Sequence, residues 1–385
     1  MNRNLLFCRA MIRGRVVLLT IIPLLLALKS WQQTPPPPFS YNSDSVEYDN
    51  ADKTVHLGAT LTYPKTGGPF AAAVLITGSG TQDRDETILG HHPFAVIADY
   101  LTRRGYAVLR VDDRGAGLSK GDLTKPTSAD FAKDVETSMA WLKTQKEIDP
   151  SRIGLIGHSE GGMIAPMIAS KNKNVAFIIS LAGPADGFGT IMYQSVESLK
   201  RMHVSDLYIT FNTVQERTIL SDALSTNDTA SFLRQVDSQY RVYLLSIPDS
   251  AKAKYSFAPT PENFHTLISQ QATAVISPWF KFFLAYKAAD YYPAVKCPVL
   301  LLGGSDDIQV NNAADIPELD SLLKASGNKK VTPHLMPGLN HLFQHCHTCM
   351  IQEYGKLEET FSPEVLQIMG DWLDANCGYR SRPSR

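Results

Sequence analysis

Cysteine is scarce, with five in 385 residues, so no disulfide framework holds this chain. Charge of one sign is lacking too: 37 Lys and Arg stand against 38 Asp and Glu. That balance excludes the dominant cationic surface of a nucleic-acid binder. No repeat recurs at a fixed period, which excludes solenoids and propellers. Gly (25) and Pro (23) show no collagen-like excess. With 44% hydrophobic and 19% charged residues the chain has enough apolar material for a packed core.

The N-terminal apolar run, Val16 to Leu28, is shorter than the ~20 residues of a membrane-spanning helix, and Pro23 interrupts it. Arg3, Arg9, Arg13 and Arg15 precede it. A cationic start followed by a short apolar run is the pattern of a secretory signal peptide. Residues 1–30 are therefore expected to direct export, to the periplasm or beyond, with cleavage near Ser30. An uncleaved anchor is the alternative. Cys8 lies before the run and no cysteine directly follows it, which disfavours a lipid anchor. Cleavage would remove five cations and no anion, leaving an acidic chain. Residues 31–44 read as a linker, stiffened by Pro35 to Pro38.

Two alternating stretches around Asn50-Ala51-Asp52, within Val46 to Tyr63, predict a β-hairpin. Apolar β-rich runs then alternate with amphipathic helical runs. Strands are expected at 71–77, 106–112, 153–158 and 175–181, and helices at 93–104, 128–145 and 161–170. This alternation predicts an α/β fold with a mostly parallel sheet covered on both faces. The pattern breaks over 186–290, where only helical patterns appear, among them 191–202, 214–224 and 232–245. It resumes with a strand at 299–303, a helix near 313–325, a strand at 331–336 and a helix at 363–375. The middle segment is thus expected to be a helical cap inserted into one core, built from 45–185 and 291–377 and followed by a tail, 378–385.

Gly157-His158-Ser159-Glu160-Gly161 fits G-x-S-x-G. It follows a predicted strand and opens a small-residue helix, the setting of a nucleophile elbow. Ser159 is the candidate nucleophile; a merely helix-capping serine is the bland reading. A serine needs a base, and the base an orienting acid. In this fold the order is serine, acid, histidine. Asp306 and Asp307 both follow the strand at 299–303. His341 follows the last strand, in Pro337-Gly338-Leu339-Asn340-His341, whereas His334 lies inside that strand and His345 and His347 come too late. One oxyanion donor should be the Glu160 amide. The other lies in Thr77-Gly78-Ser79-Gly80, with Ser79 favoured and Gly80 the alternative.

With these residues the chain resembles the α/β-hydrolase superfamily, and more narrowly the bacterial serine-esterase group termed serine aminopeptidase-like or hydrolase-4. The resemblance spans residues 45–375. It rests on Gly78 to Glu86 (GSGTQDRDE), Asp112 to Ser119 (DDRGAGLS), Gly157 to Gly162, Ser305 to Val310 and Asn340 to Gln344, in that order. In relatives an apolar residue and Gln-Val follow the acid. Asp307-Ile308-Gln309-Val310 matches, which implies Asp307 rather than Asp306. The group implies hydrolysis of carboxylic esters, often with short acyl chains. Two departures stand out: Cys349 replaces a usual Gly, and Lys287-Ala288 replaces a usual Asp-Pro.

Cys346-His347-Thr348-Cys349 could bind zinc, cycle as a redox pair, or form packed thiols or a local disulfide. The last is the simplest, because the second half of a zinc site is missing. Cys297 and Cys377 read as unpaired or buried. Asp83-Arg84-Asp85-Glu86 and Asp113-Arg114 read as ion-pair networks stiffening loops near the site, with substrate contact the alternative. The aromatic stretch from Trp279 to Tyr286 reads as core, with some rings lining an acyl pocket. The combined expectation is an exported serine esterase acting on a small-molecule ester with no cofactor and no metal. Nucleic acid is not expected as a partner, nor is a stable membrane span after cleavage. The rivals are a serine peptidase or aminopeptidase with the same triad, and a non-catalytic binding protein on this scaffold.

Overall fold

The computed structural model describes residues 33–122 and 125–377. The signal expected at 1–30 and the tail from 378 lie outside the described residues. Eight described strands form one sheet: β1 (Asn42–Asp49), β2 (His56–Tyr63), β3 (Phe70–Ile76), β4 (Ala107–Val111), β5 (Ile148–His158), β6 (Ile178–Leu181), β7 (Val299–Gly304) and β8 (Val331–Met336). Their order is β1-β2-β4-β3-β5-β6-β7-β8. β2 runs antiparallel to both β1 and β4, and every other pair is parallel.

The apolar runs are continuous because both faces of the sheet are covered. In β3, Ala72, Val74 and Ile76 join one core, and Ala71, Ala73 and Leu75 the other. The first core takes side chains from α2 (Ser128–Leu142), α3 (Glu160–Lys171) and α10 (Asn312–Ala325). The second is covered by α1 (Pro93–Arg103) and α12 (Pro363–Cys377). The short α11 (Ile351–Tyr354) precedes α12.

Between β6 and β7 the chain leaves the sheet for six described helices: α4 (Gly187–Arg201), α5 (Asp206–Ser225), α6 (Thr229–Ser246), α7 (Asp249–Lys252), α8 (Pro261–Val275) and α9 (Pro278–Ala285). Their starts are written in the sequence. Ser205, Asp228, Thr260 and Ser277 each accept a backbone N–H three residues on, and Pro261 and Pro278 fill first-turn positions. These helices hold a third apolar cluster around Phe211, Phe232, Tyr240 and Phe264.

Some boundaries differ from the sequence expectation. β5 begins at Ile148 instead of 153, because Ile148 pairs with Phe70 ahead of a register shift, after which Ala72 pairs with Ile153. β1 begins at Asn42, inside the segment read as linker. Ahead of the prolines, the Gln33 side chain accepts from the Thr360 and Phe361 amides at 2.5 and 2.9 Å and donates to the Phe361 carbonyl.

Asp315, on α10, shows how burial feeds into stability. Burial pushes its carboxyl up to about 7, although it accepts the Ala185 N–H. An unfolded Asp titrates near ~4, so the fold binds this proton more tightly. The stability it supplies is complete below ~4 and is lost as pH rises through about 7. Asp315→Asn should therefore gain on the wild type as pH rises from 4 to 7, read by urea unfolding at each pH; a constant gap would contradict the assignment.

Candidate active site

Strand β5 ends in Gly157 and His158, and Ser159 stands before the first turn of α3 with φ 52° and ψ −115°. A non-glycine residue in that region costs about 1–3 kcal/mol and persists only where its surroundings impose it. They do. The Ser159 N–H donates to the Leu181 carbonyl at 2.8 Å. A Cβ on Gly157 would lie 2.0 Å from the Gly161 oxygen, and one on Gly161 would lie 2.2 Å from the Ile76 oxygen. The two glycines are what let the strand turn into the helix under β3. Gly157→Ala should cost about 3 kcal/mol or more in urea unfolding.

His341 follows β8, and its Nδ1 lies 2.7 Å from Asp307 Oδ2; both side chains are buried. Asp307 follows β7 and is held by three more donors. Oδ1 accepts from the Gln309 and Val310 amides at 2.7 and 2.9 Å, and Oδ2 from Asn312 Nδ2 at 2.8 Å. Tyr193, on α4, donates its hydroxyl to the Asp307 carbonyl. Asp306 points elsewhere, to Arg201 at 3.2 Å. Geometry thus selects Asp307 as the partner of His341. Of the other histidines weighed from the sequence, His334 is in β8 and His345 pairs with Glu359. Asn340 closes the histidine loop by accepting the Leu342 and Gln344 amides.

Ser159, His341 and Ser79 line one cavity of about 280 Å³, together with Trp279, Phe283 and Ile191. Trp279 and Phe283, expected in the core with some rings at an acyl pocket, both line the cavity. Among the described residues, the amides of Ser79 and Glu160 have no hydrogen-bond partner. Gly80 lines two neighbouring hollows instead. The Glu160 carboxyl is buried and accepts from Ser128 Oγ at 2.6 Å and Trp279 Nε1 at 2.9 Å. Burial pushes it above the ordinary range, against the bonds from Ser128, Trp279 and Ser79.

The acidic loop is mostly a network of ties. Arg84 holds Asp112 at 2.5 Å and Asp85 pairs with Arg110. Asp113 and Arg114 depart from the ion-pair expectation in part. Arg114 pairs with Asp134, whereas Asp113 accepts from Thr77 Oγ1 and the Gln82 amide. Burial pushes Asp113 up to about 7. Sequence reasoning placed Glu86 in the loop's ion-pair network without its partner, and gave His158 no role. Glu86 Oε1 accepts the Gly78 N–H at 2.6 Å and lies 2.9 Å from His158 Nδ1. Cys346 and Cys349 form a disulfide, and Cys349 has φ 57°, a conformation that suits the glycine usual there. Among the described residues no group of three or more His, Cys, Asp or Glu could hold a metal.

The model of the X-Pro dipeptidyl-peptidase (S15) family matches residues 52–318. The chain belongs to the S15 family. Its fold is of the α/β-hydrolase type. Among curated relatives, the Thermotoga maritima esterase EstD is 32% identical over 160 residues, 41% of this chain and 38% of its own. The chain thus matches well under half of EstD. An Escherichia coli protein of 31.7 kDa is 25% identical over 282 residues, 72% of this chain and 83% of its own. An esterase from Pyrococcus furiosus superposes with a TM-score of 0.51 at 17% identity, covering 88% of this chain and 92% of its own. The Penicillium α/β hydrolase GrgF gives 0.52 at 16% identity, covering 88% and 100%. These two likenesses concern the fold. The S15 match ends at residue 318, before the loop that carries His341.

Proposed function

We propose that this S15-family chain is an exported serine esterase that cleaves short-chain carboxylic esters. Ser159 attacks the ester carbonyl. His341 takes the hydroxyl proton and returns it to the leaving alcohol, while Asp307 holds the imidazole with its proton on Nδ1. The amides of Ser79 and Glu160 receive the oxyanion, aided by the N-terminus of α3. Water, deprotonated by His341, then releases the acyl group. The observation that carries this reading is the buried His341–Asp307 contact of 2.7 Å opening on the cavity that Ser159 lines.

Ester over peptide is favoured by the charge of that cavity. An aminopeptidase needs a carboxylate for the substrate ammonium. Among the described residues Glu86 is the one carboxylate that lines the cavity, and it is already engaged by Gly78 and His158. Trp279, Phe283 and Ile191 supply apolar wall, and the volume is at the small end for ligand sites, which supports short acyl groups. Helices α4 to α9 would act as the cap that shapes it. Export rests on the cationic and apolar pattern of residues 1–30.

The S15 match favours peptidase action as the second reading. A ladder of p-nitrophenyl esters, acetate to decanoate, run beside aminoacyl and X-Pro p-nitroanilides separates the two. Ser159-dependent turnover of the short esters, with the anilides untouched, is expected. Preferred cleavage of an anilide would overturn the esterase assignment.

A further inference from the structure

We propose that His158 and Glu86 form a buried imidazolium–carboxylate pair that positions both His341 and the oxyanion loop. The inference rests on the hydrolase reading above and deepens it, with His158 as a positioning residue.

The donors and acceptors dictate the proton count. His158 Nε2 lies 3.0 Å from the main-chain oxygen of His341. A carbonyl oxygen only accepts, so Nε2 carries a hydrogen. Nδ1 lies 2.9 Å from Glu86 Oε1, a carboxylate oxygen that also accepts the Gly78 N–H at 2.6 Å. An imidazolium donating from both nitrogens satisfies all three contacts. Both side chains are almost wholly buried, at 5% and 1% exposure, where neither charge would be stable alone. Burial pushes His158 down, but the Glu86 charge and hydrogen bond outweigh it and leave the ring above the ordinary histidine range.

The pair sits where three parts of the site meet. Glu86 comes from the loop after β3, His158 immediately precedes Ser159, and the contacted oxygen belongs to His341. Gly78, the amide that Glu86 holds, precedes the proposed oxyanion donor Ser79. A Cβ on Gly78 would lie 3.2 Å from both Glu86 Oε1 and Ser159 Cβ, a tight approach that glycine eases. Glu86 itself is held at φ 51°, a conformation rarely adopted without glycine. Three charged or titratable groups face His158: Glu86, the His341 ring with centroids 4.8 Å apart, and Asp307 beyond it.

Two readouts test this. In the first, His158→Ala and His158→Gln are compared with wild type on p-nitrophenyl acetate, with melting followed by circular dichroism. Losing the anchor should lower kcat about 100-fold in His158→Ala, with KM little changed, because a small misplacement has that scale of effect. His158→Gln keeps a donor toward the His341 oxygen and should recover part of the loss. A wild-type kcat in His158→Ala, with only the melting temperature lowered, would overturn the proposal.

The second readout needs no turnover. Histidine-selective 15N NMR of Ser159→Ala should show both His158 ring nitrogens protonated at pH 8, the signals being assigned by their loss in Ser159→Ala/His158→Gln. A neutral ring at pH 8 would overturn the pair. If the wild type has no Ser159-dependent activity, the hydrolase reading fails and this spectrum still decides the charge state.

Discussion

Ser159→Ala is expected to lower turnover of a p-nitrophenyl ester by roughly 10⁴- to 10⁶-fold, while leaving the fold intact. The size follows from what is removed. Without Oγ no acyl-enzyme forms, and the oxyanion amides are left to assist direct attack by water. The residual rate over the uncatalysed reaction should be that of the oxyanion donors and binding alone. The fold survives because the neighbouring ties are main-chain ones: the residue-159 amide still donates to the Leu181 carbonyl, and the glycines at 157 and 161 keep their close approaches. Alanine removes a hydroxyl and adds no bulk at the mouth of α3. Activity within tenfold of wild type in a purified, Ser159→Ala protein would exclude Ser159 as nucleophile.

The second large effect separates neighbouring aspartates. Asp307→Asn should lower kcat about 10⁴-fold, whereas Asp306→Asn should change it little. The difference comes from how each carboxylate is held. Asp307 Oδ1 takes two backbone N–H groups, from Gln309 and Val310. An asparagine at 307 must keep its oxygen on that side, and so turns its NH2 toward His341. Nδ1 must then accept, the ring proton moves to Nε2, and the nitrogen that should receive the serine proton is blocked. The penalty is one of tautomer as much as of charge. Asp306 is partly exposed and pairs with Arg201 at 3.2 Å, a contact of the kind worth little in water. Steady-state kinetics on both variants checks this; equal losses, or loss in Asp306→Asn alone, would reverse the assignment.

Much of this site is legible in the sequence because its parts are local. The elbow declares itself through a strand, two required glycines and a helix of small residues. The histidine loop follows the last strand, and the order of the motifs along the chain does the rest. The parallel sheet is equally plain, since strands such as β3 and β7 are apolar at every position when both faces are covered. The helices between β6 and β7 begin at residues whose capping chemistry is readable one by one, from Ser205 to Ser277.

What stays hidden is non-local. Glu86 and His158 lie 72 positions apart, and nothing in either segment names the other. Glu160 was legible as an amide in the elbow; that its buried carboxyl would anchor Trp279, from the far end of the inserted helices, was not. Asp113 looked like an ion-pair partner by composition, yet it faces a hydroxyl and an amide, because Arg114 turns to Asp134 on α2. Choosing Asp307 over Asp306 needed family resemblance at the level of sequence. A single distance to His341 now makes the same choice.

In the proposed reaction Ser159 carries the acyl group covalently during turnover. Its most direct test is to treat the protein with an organophosphate ester such as diethyl p-nitrophenyl phosphate and locate the adduct by peptide mass spectrometry. One stoichiometric adduct on Ser159 is expected, formed in step with loss of esterase activity and strongly slowed in His341→Ala. An enzyme that loses activity with the label on another residue, or stays active with Ser159 fully labelled, would contradict it.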